Sequence, residues 1–225
     1  MRQVQRTEAE YQHWPILEPV EGERERPIAL NKPVCVAGDR VRVNLPLPDQ
    51  TVSRAHILFV NDEDGVYVRD LASLNRILVN DEPVTETVLD QGDKLRIGPY
   101  VFRCDGGFRH DPGSRPQVPP VDLCLADDET RFHLAGRTMV IGTRENCDIR
   151  VSDERVAPAH AVLFEREGRW FVRDLRSKTG TFVNDRRIGQ IELTPGDYIR
   201  IGDTNFRYEM APVDANDTAI PEIVS

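Results

Sequence analysis

The sequence predicts an all-β fold of two antiparallel β-sandwich domains in tandem, joined by a linker rich in glycine and proline. Three observations lead to this prediction. Short runs of β-branched and aromatic residues alternate with turn residues, no segment has a convincing helical period, and the chain repeats itself at a spacing of 104 residues. A chain of 225 residues has room for two domains of about 100 residues each.

Each copy of the repeat contains four short runs that are predicted to be strands. The first copy has HILFV, GVYVRDL, RILVN and DKLRIG, and the second has HAVLFE, RWFVRDL, TFVN and DYIRIG. Gly, Asn, Asp or Pro bounds these runs, and such residues favour turns. The pairs Asn80-Asp81 and Asn184-Asp185 each follow an apolar run and tolerate the positive φ of a tight hairpin. Both are therefore predicted hairpin turns.

The repeat keeps its spacing without a gap. His56 and His160 lie 104 positions apart, and aligning residues 38–103 with residues 142–207 gives 23 identities in 66 positions. Chance would not produce this agreement, so the chain contains a duplication. Its period is too long for a solenoid, whose repeats are about 20 to 50 residues long.

Composition predicts the domain boundaries. Residues 106–121 lie within a glycine- and proline-rich stretch and are the predicted linker between a first domain at 26–105 and a second at 122–210. The polar ends, 1–25 and 211–225, offer little to bury and are predicted to be mobile. Within the N-terminal extension, Trp14, Ile16 and Leu17 either pack on the first sandwich or contact a partner.

Charge and composition exclude several classes of function. The formal net charge of −9 argues against general binding of nucleic acid, and no apolar run approaches the ~20 residues of a membrane span. The N-terminus lacks the apolar segment of a secretory signal, which predicts a cytoplasmic location. The four cysteines have no close pair of the kind that binds zinc, and neither a metal nor a cofactor is predicted.

Two pairs of motifs carry a family resemblance. The first copy has AGDRVRVNLPLPDQTVSRAH and then SLNRILVN, and the second has IGTRENCDIRVSDERVAPAH and then SKTGTFVN. These resemble the signature of forkhead-associated (FHA) domains: Gly-Arg, a stretch ending Leu-Pro-Asp, Ser-Arg-x-His, and Asn-Gly-Thr-x-Val-Asn. The resemblance implies two-sheet sandwiches whose loops at one end bind a phosphothreonine in a partner protein, without catalysis. A Ser/Thr kinase or its substrate is a candidate partner.

In the first copy the resemblance implies a phosphopeptide-binding set. Ser53, Arg54 and Asn75 occupy the serine, successor and asparagine positions of the family's motif. The family's arginine position falls on Asp39, whose carboxylate would oppose a phosphate, but a one-residue bulge would bring the neighbouring Arg40 to the pocket. The predicted phosphopeptide-binding residues are therefore Ser53, Arg54, Asn75 and Arg40.

In the second copy the ligand positions are changed. Thr143, Ala157, Pro158 and Thr179 stand where the family has its arginine, serine, successor and asparagine. This domain is predicted to keep the fold but not the family's binding mechanism. The residues predicted to support the loops are Gly38, His56 and Asn80 in the first copy and Gly142, His160 and Asn184 in the second.

Simpler interpretations stand beside these. Ser53 or Asn75 can serve only as a turn residue, since both types bond nearby backbone readily. His56 and His160 have no accompanying nucleophile or carboxylate constellation, which argues against acid–base catalysis. Asp70 and Asp174 end identical VRDL strands, where an aspartate usually bonds nearby turn amides.

The leading hypothesis is a non-catalytic signalling adaptor, in which the first domain binds a phosphothreonine protein and the second mediates another protein–protein interaction. The alternative is a phosphorylation-independent scaffold in which Asp39 has abolished phosphate binding. An enzyme is not expected, because nucleotide-binding glycine loops, metal-spaced clusters and hydrolase motifs are absent from the sequence. Thr7 and Thr218, in the polar ends, are positions where phosphorylation would give the first domain a ligand in cis.

Overall fold

The computed structural model describes residues 14–21, 26–40, 43–62, 65–106, 121–126, 130–134 and 136–211. The chain divides into two compact units, Met1–Arg115 and Pro116–Ser225. The predicted tail beyond residue 211, most of the predicted linker, and both Thr7 and Thr218 lie outside the described residues.

The described part of the first unit consists of strands and turns. Its strands are β1 (Ile16–Glu21), β2 (Ile28–Ala29), β3 (Val34–Gly38), β4 (Leu45–Pro46), β5 (Ile57–Asp62), β6 (Gly65–Asp70), β7 (Ile77–Val79), β8 (Glu82–Val84), β9 (Glu86–Leu89), β10 (Lys94–Ile97) and β11 (Tyr100–Asp105). They form a six-stranded sheet in the order β2-β1-β11-β10-β7-β8 and a five-stranded sheet in the order β4-β3-β5-β6-β9.

The second unit repeats this arrangement. Its strands are β12 (Val121–Leu125), β13 (Arg131–His133), β14 (Thr138–Gly142), β15 (Ile149–Arg150), β16 (Ala161–Arg166), β17 (Arg169–Asp174), β18 (Thr181–Val183), β19 (Arg186–Ile188), β20 (Gln190–Glu192), β21 (Tyr198–Ile201) and β22 (Thr204–Met210). The sheets run β13-β12-β22-β21-β18-β19 and β15-β14-β16-β17-β20. The predicted pair of all-β sandwiches is confirmed.

Three details differ from the sequence prediction. The first sandwich begins at Ile16 rather than at residue 26, because β1 pairs with β11 and buries Leu17 in the core. Likewise Val121, placed in the predicted linker, is a buried residue of β12. The sheets are also not purely antiparallel, since the two-residue strands β4 and β15 pair parallel to β3 and β14.

Each unit has its own core between its two sheets. Four phenylalanines are the largest fully buried side chains, and each core receives apolar side chains from alternate positions of its strands. Phe59 and Phe102 belong to the first core and Phe206 to the second, whereas Phe164 lies on the other face of its strand and stacks on Phe171. All four cysteines are free and buried, and burial raises the pKa of the Cys104 thiol to about 11.

The predicted hairpin turns have the expected backbone. Asn80 and Asp81 have φ values of 52° and 69°, and Asn184 and Asp185 have φ values of 48° and 63°. The side chain of Asn80 also accepts from the Lys94 amide at 3.0 Å, and that of Asn184 accepts from an equivalent amide on β21 at 3.0 Å. Each asparagine thus joins its turn to the neighbouring strand.

None of the described segments forms a helix with the length and apolar character needed to span a membrane.

Candidate functional site

Three loops meet at one end of the first sandwich, following β3, preceding β5 and preceding β7. The amide of Asp39 donates to the Ser53 carbonyl at 3.1 Å, which joins the first loop to the second. The amide of Leu74 donates to Ser53 Oγ at 3.2 Å, and Asn75 Nδ2 donates to the Thr51 carbonyl at 2.7 Å. The structure therefore brings the predicted residues Ser53 and Asn75 into one cluster.

His56 lies behind this cluster and is fully buried. Its Nδ1 accepts from the Ser53 amide at 3.0 Å, and its Nε2 lies 3.3 Å from the Arg76 carbonyl. An acceptor Nδ1 together with a donor Nε2–H is the neutral imidazole. His56 thus connects the loop before β5 to the loop before β7, and its two ring nitrogens are occupied by backbone groups.

Gly38 allows the first two loops to approach. A Cβ atom built on Gly38 would lie 2.4 Å from the Arg54 carbonyl oxygen and 2.8 Å from that of Ser53. Side chains do not tolerate such distances to backbone, so glycine is required for this close packing. The backbone that carries Ser53 and Arg54 is therefore positioned directly by Gly38.

The Ser53 hydroxyl keeps its donor. Its oxygen accepts from the Leu74 amide, whereas a hydroxyl has one donor hydrogen and two acceptor sites. Ser53 is only 9% exposed, so its hydroxyl lies in a largely desolvated position at the loop surface. A donor there favours a strong acceptor such as a phosphate oxygen, because charge-assisted hydrogen bonds are the stronger ones.

Asn75 is held in place but not saturated. One N–H of its amide donates to the Thr51 carbonyl, which leaves the second N–H and the carbonyl oxygen of this exposed side chain. One donor and one acceptor suit the backbone of an extended peptide, which offers both. The geometry therefore fits the predicted peptide contact and also the turn interpretation.

Positive charge lies close to this cluster. Arg54 is exposed, and its guanidinium makes no hydrogen bond or ion pair with any residue that the structure describes. Arg40 and Asp39 are each half-buried in the turn after β3, where the Val43 amide donates to the Arg40 carbonyl at 3.2 Å. Arg76, also exposed, donates to Thr85 Oγ1 at 3.3 Å.

The second domain has the same frame with different side chains. His160 Nδ1 accepts from the Ala157 amide at 3.0 Å, and its Nε2 lies 3.2 Å from the Gly180 carbonyl. A Cβ on Gly142 would lie 2.3 Å from the Pro158 carbonyl oxygen. Burial lowers the pKa of His160 below its usual 6.5, which favours the neutral ring that these contacts require.

Thr179 makes a loop-closing hydrogen bond that the sequence did not predict. It occupies the asparagine position, and its hydroxyl donates to the Arg155 carbonyl at 2.8 Å. This bond is equivalent to the one between Asn75 and Thr51, so the loop stays closed although the amide is gone. No hydroxyl replaces that of Ser53, since Ala157 stands there.

Asp70, which is buried, and Asp174, which is half-buried, stabilise the turns at the start of the loops before β7 and β18. Asp70 accepts from the amide of Ser73 at 2.8 Å and from its hydroxyl at 2.6 Å. Asp174 accepts from the amide and hydroxyl of Ser177 at 3.1 and 2.6 Å. These are the local contacts that the sequence suggested for the two VRDL motifs.

Comparisons with known proteins agree with this architecture. The family model "FHA domain" matches residues 35–98 and 139–202, which together are more than half of the chain. A matching curated protein is the ABC transporter ATP-binding/permease protein Rv1747 of Mycobacterium tuberculosis, 31% identical over 91 residues, which are 40% of this chain and 10% of that protein.

Two smaller relatives also match. The glycogen accumulation regulator GarA of Mycobacterium tuberculosis is 38% identical over 87 residues, 38% of this chain and 54% of that protein. The oxoglutarate dehydrogenase inhibitor of Corynebacterium glutamicum is 38% identical over 71 residues, 32% of this chain and 50% of that protein. The chain thus spans about half the length of these relatives.

Solved structures with a single domain match as well. A chain from a study of "phosphothreonine-dependent FHA domain interactions" is 27% identical with a TM-score of 0.40, and the match covers 42% of this chain and 99% of that chain. The first FHA domain of Mycobacterium tuberculosis Rv1747 is 25% identical with a TM-score of 0.38, and the match covers 43% and 100%. With its two matched segments and its repeated loop frame, the chain belongs to the FHA-domain family.

Proposed function

We propose that the chain is a non-catalytic signalling adaptor in which the first FHA domain binds a phosphothreonine-containing protein. The observation that carries the proposal is the hydroxyl of Ser53. Its oxygen accepts from the Leu74 amide, so its hydrogen is available at the loop surface next to the exposed cation of Arg54. A phosphate brings a charge of about −1.5 to −2 at pH 7 and strong acceptor oxygens, which such a donor and cation complement.

Asn75 completes the proposed site. Its remaining amide donor and acceptor are suited to the peptide backbone beside the phosphothreonine, and its bond to Thr51 holds them ready before the ligand arrives. A side chain that is already ordered loses little entropy on binding. Arg40 is the proposed second cation, on the expectation that the turn after β3 directs it towards the phosphate.

The second FHA domain is proposed to act in protein–protein interaction without phosphate. The side chain of Ala157 has no hydrogen-bond donor, and Pro158 has no charge where the first domain has Arg54. The names of the relatives, an inhibitor and a regulator, support a regulatory role exerted through binding. A Ser/Thr kinase or a kinase substrate is the proposed partner class, and the cytoplasm is the proposed compartment.

One observation favours the alternative of a phosphorylation-independent scaffold. Asp39 holds the arginine position, and its amide donates to the Ser53 carbonyl, so the residue that carries the carboxylate is hydrogen-bonded to the residue of the proposed phosphate contact. Like charges in proximity cost binding energy. In this alternative Ser53 and Asn75 only close the loops.

The test is calorimetric titration of the full chain with phosphothreonine peptides from a degenerate library and with the same peptides lacking phosphate. Ser53→Ala removes the donor, and we expect affinity to fall about tenfold to a hundredfold, the worth of a hydrogen bond to a charged group. Ser152→Ala, an exposed serine in the second domain, is the control. Binding that ignores the phosphate would establish the scaffold instead, whereas phosphate-dependent binding that survives Ser53→Ala unchanged would refute the role proposed for Ser53.

A further inference from the structure

Leu74 is an apolar side chain that the fold leaves in water. It is 73% exposed, whereas the other exposed large apolar side chains of the described residues are 41–50% exposed. A leucine at such a position contributes no core packing, and burying it against a ligand would be favourable. Its place in the fold therefore matters.

Leu74 lies inside the proposed binding site. Its own amide donates to Ser53 Oγ at 3.2 Å, and the next residue is Asn75, which is bonded to the Thr51 carbonyl. The first bond holds the backbone of the leucine itself, and the second joins the side chain of the next residue to the loop before β5. The side chain consequently projects from a rigid base that is one hydrogen bond away from the proposed phosphate contact.

The second domain supplies a comparison within the same molecule. The position of Leu74 is taken there by Lys178, which is also exposed, and the position of Ser53 is taken by Ala157. The exposed leucine thus accompanies the hydroxyl donor and is absent where the donor is absent. A purely structural leucine would be expected in both copies, because the turns that follow Asp70 and Asp174 are held by the same serine contacts.

We infer that Leu74 is a specificity-determining contact of the first domain, selecting phosphothreonine peptides with an apolar side chain close to the phosphothreonine. The inference rests on the proposed function. An extended peptide advances about 3.3 Å per residue, so a side chain touching Leu74 belongs to a residue within about three positions of the phosphothreonine. A peptide with an apolar side chain packed on Leu74 is expected to bind about tenfold more tightly than a peptide with a polar residue at the same position.

The experiment measures binding of the full chain to phosphothreonine peptides in which each position within three residues of the phosphothreonine is varied in turn. We expect one position to prefer Leu, Ile, Met or Phe by about tenfold over Ser or Lys. Leu74→Lys, which installs the residue of the second domain, is expected to abolish or reverse that preference towards acidic residues while leaving the requirement for phosphate intact. Leu74→Met is expected to keep the preference.

The control is Val20→Lys, at an exposed apolar residue of the same domain that lies in β1 rather than in the loops, and it is expected to change nothing. Phosphate-dependent binding without an apolar preference, or with a preference that Leu74→Lys leaves unchanged, would overturn the inference and leave the proposed function standing. Absence of phosphate-dependent binding by the parent chain would instead refute the proposed function and, with it, the inference.

Discussion

The side-chain amide of Asn75 donates to the Thr51 carbonyl at 2.7 Å, and in the second domain the hydroxyl of Thr179 donates to the equivalent carbonyl of Arg155 at 2.8 Å. Two different side chains therefore close the same loop. Only the asparagine retains a further donor and acceptor for a ligand. Loop closure and ligand contact, which coincide in Asn75, are thus separated in Thr179.

This difference makes Asn75→Thr an informative substitution. We expect it to weaken phosphopeptide binding by about tenfold, since the peptide loses its amide contacts, while the free energy of unfolding changes by less than about 0.5 kcal/mol. Asn75→Ala removes both the peptide contact and the loop bond. It is expected to lower the affinity for the phosphopeptide and the free energy of unfolding together. Calorimetry and urea unfolding distinguish these cases. Equal loss of stability in both variants would mean that threonine does not restore the loop bond.

Removing the charge of Asp39 is expected to strengthen phosphopeptide binding. Asp39→Asn keeps the size of the side chain, and relief of like-charge repulsion at a partly solvated position is worth about threefold to tenfold in affinity. The gain is expected to shrink as salt is raised from 0.05 to about 0.5 M, because salt screens it. Glu18→Gln, an exposed carboxylate in β1, is the control. Unchanged affinity of Asp39→Asn would place the carboxylate away from the phosphate.

Substitution of the close-packed glycines is expected to destabilise each domain. In Gly142→Ala the new Cβ would meet the Pro158 carbonyl oxygen at 2.3 Å, and we expect a loss of about 1–3 kcal/mol in the free energy of unfolding of the second domain. Gly189→Ala is a matched control, because a Cβ there has no atom within 4 Å. A similar small effect in both variants, measured by denaturant unfolding, would contradict the steric argument.

The second domain is expected to lose stability as the pH falls below about 6.5. Burial lowers the pKa of His160 in the folded state, so the unfolded chain binds a proton more readily over this window. The contribution of the neutral His160 ring to the free energy of unfolding is therefore fully present above pH 6.5. It declines as the pH falls towards the folded pKa, by at most about 1.4 kcal/mol per pH unit. Urea unfolding between pH 7.5 and 5.0 measures it.

His160→Gln removes the titrating group and is expected to flatten this dependence. A direct measurement needs no variant, since an NMR titration of the His160 ring is expected to give a midpoint below 6.5. A midpoint at or above 6.5, or stability that does not change between pH 6.5 and 5.0, would show that the ring is not held in its neutral form.

Local patterns in the sequence were enough to predict most of the fold. The turns at Asn80 and Asn184 were predictable because few residue types tolerate positive φ. The strands of the two repeats were predictable because strands favour apolar residues at alternate positions. The strand at Ile16–Glu21 was not, because its residues pair with residues of β11 that lie 80 to 89 positions away and its own sequence is interrupted by Pro19. Such long-range pairing depends on tertiary packing that a local pattern does not encode.

Part of the candidate site could likewise be predicted from the sequence, and part could not. Ser53, His56 and Asn75 follow from motif spacing, and the structure brings them together. The loop bond of Thr179 could not be predicted, because a hydroxyl replacing an amide looks like simple loss until the Arg155 carbonyl is seen beside it. The exposure of Leu74 was hidden for a related reason, since leucine in a sequence usually indicates a core position.

The bond that Thr179 makes to Arg155 has a consequence for valency. Because it closes the loop of the second domain without the asparagine that would bind a ligand, the proposed adaptor has two sandwiches but a single phosphothreonine-binding site. Linked sites of equal type would raise avidity by two to four orders of magnitude and slow release. A monovalent adaptor instead dissociates at the rate of its single site. A phosphatase therefore gains access to the phosphothreonine soon after each dissociation.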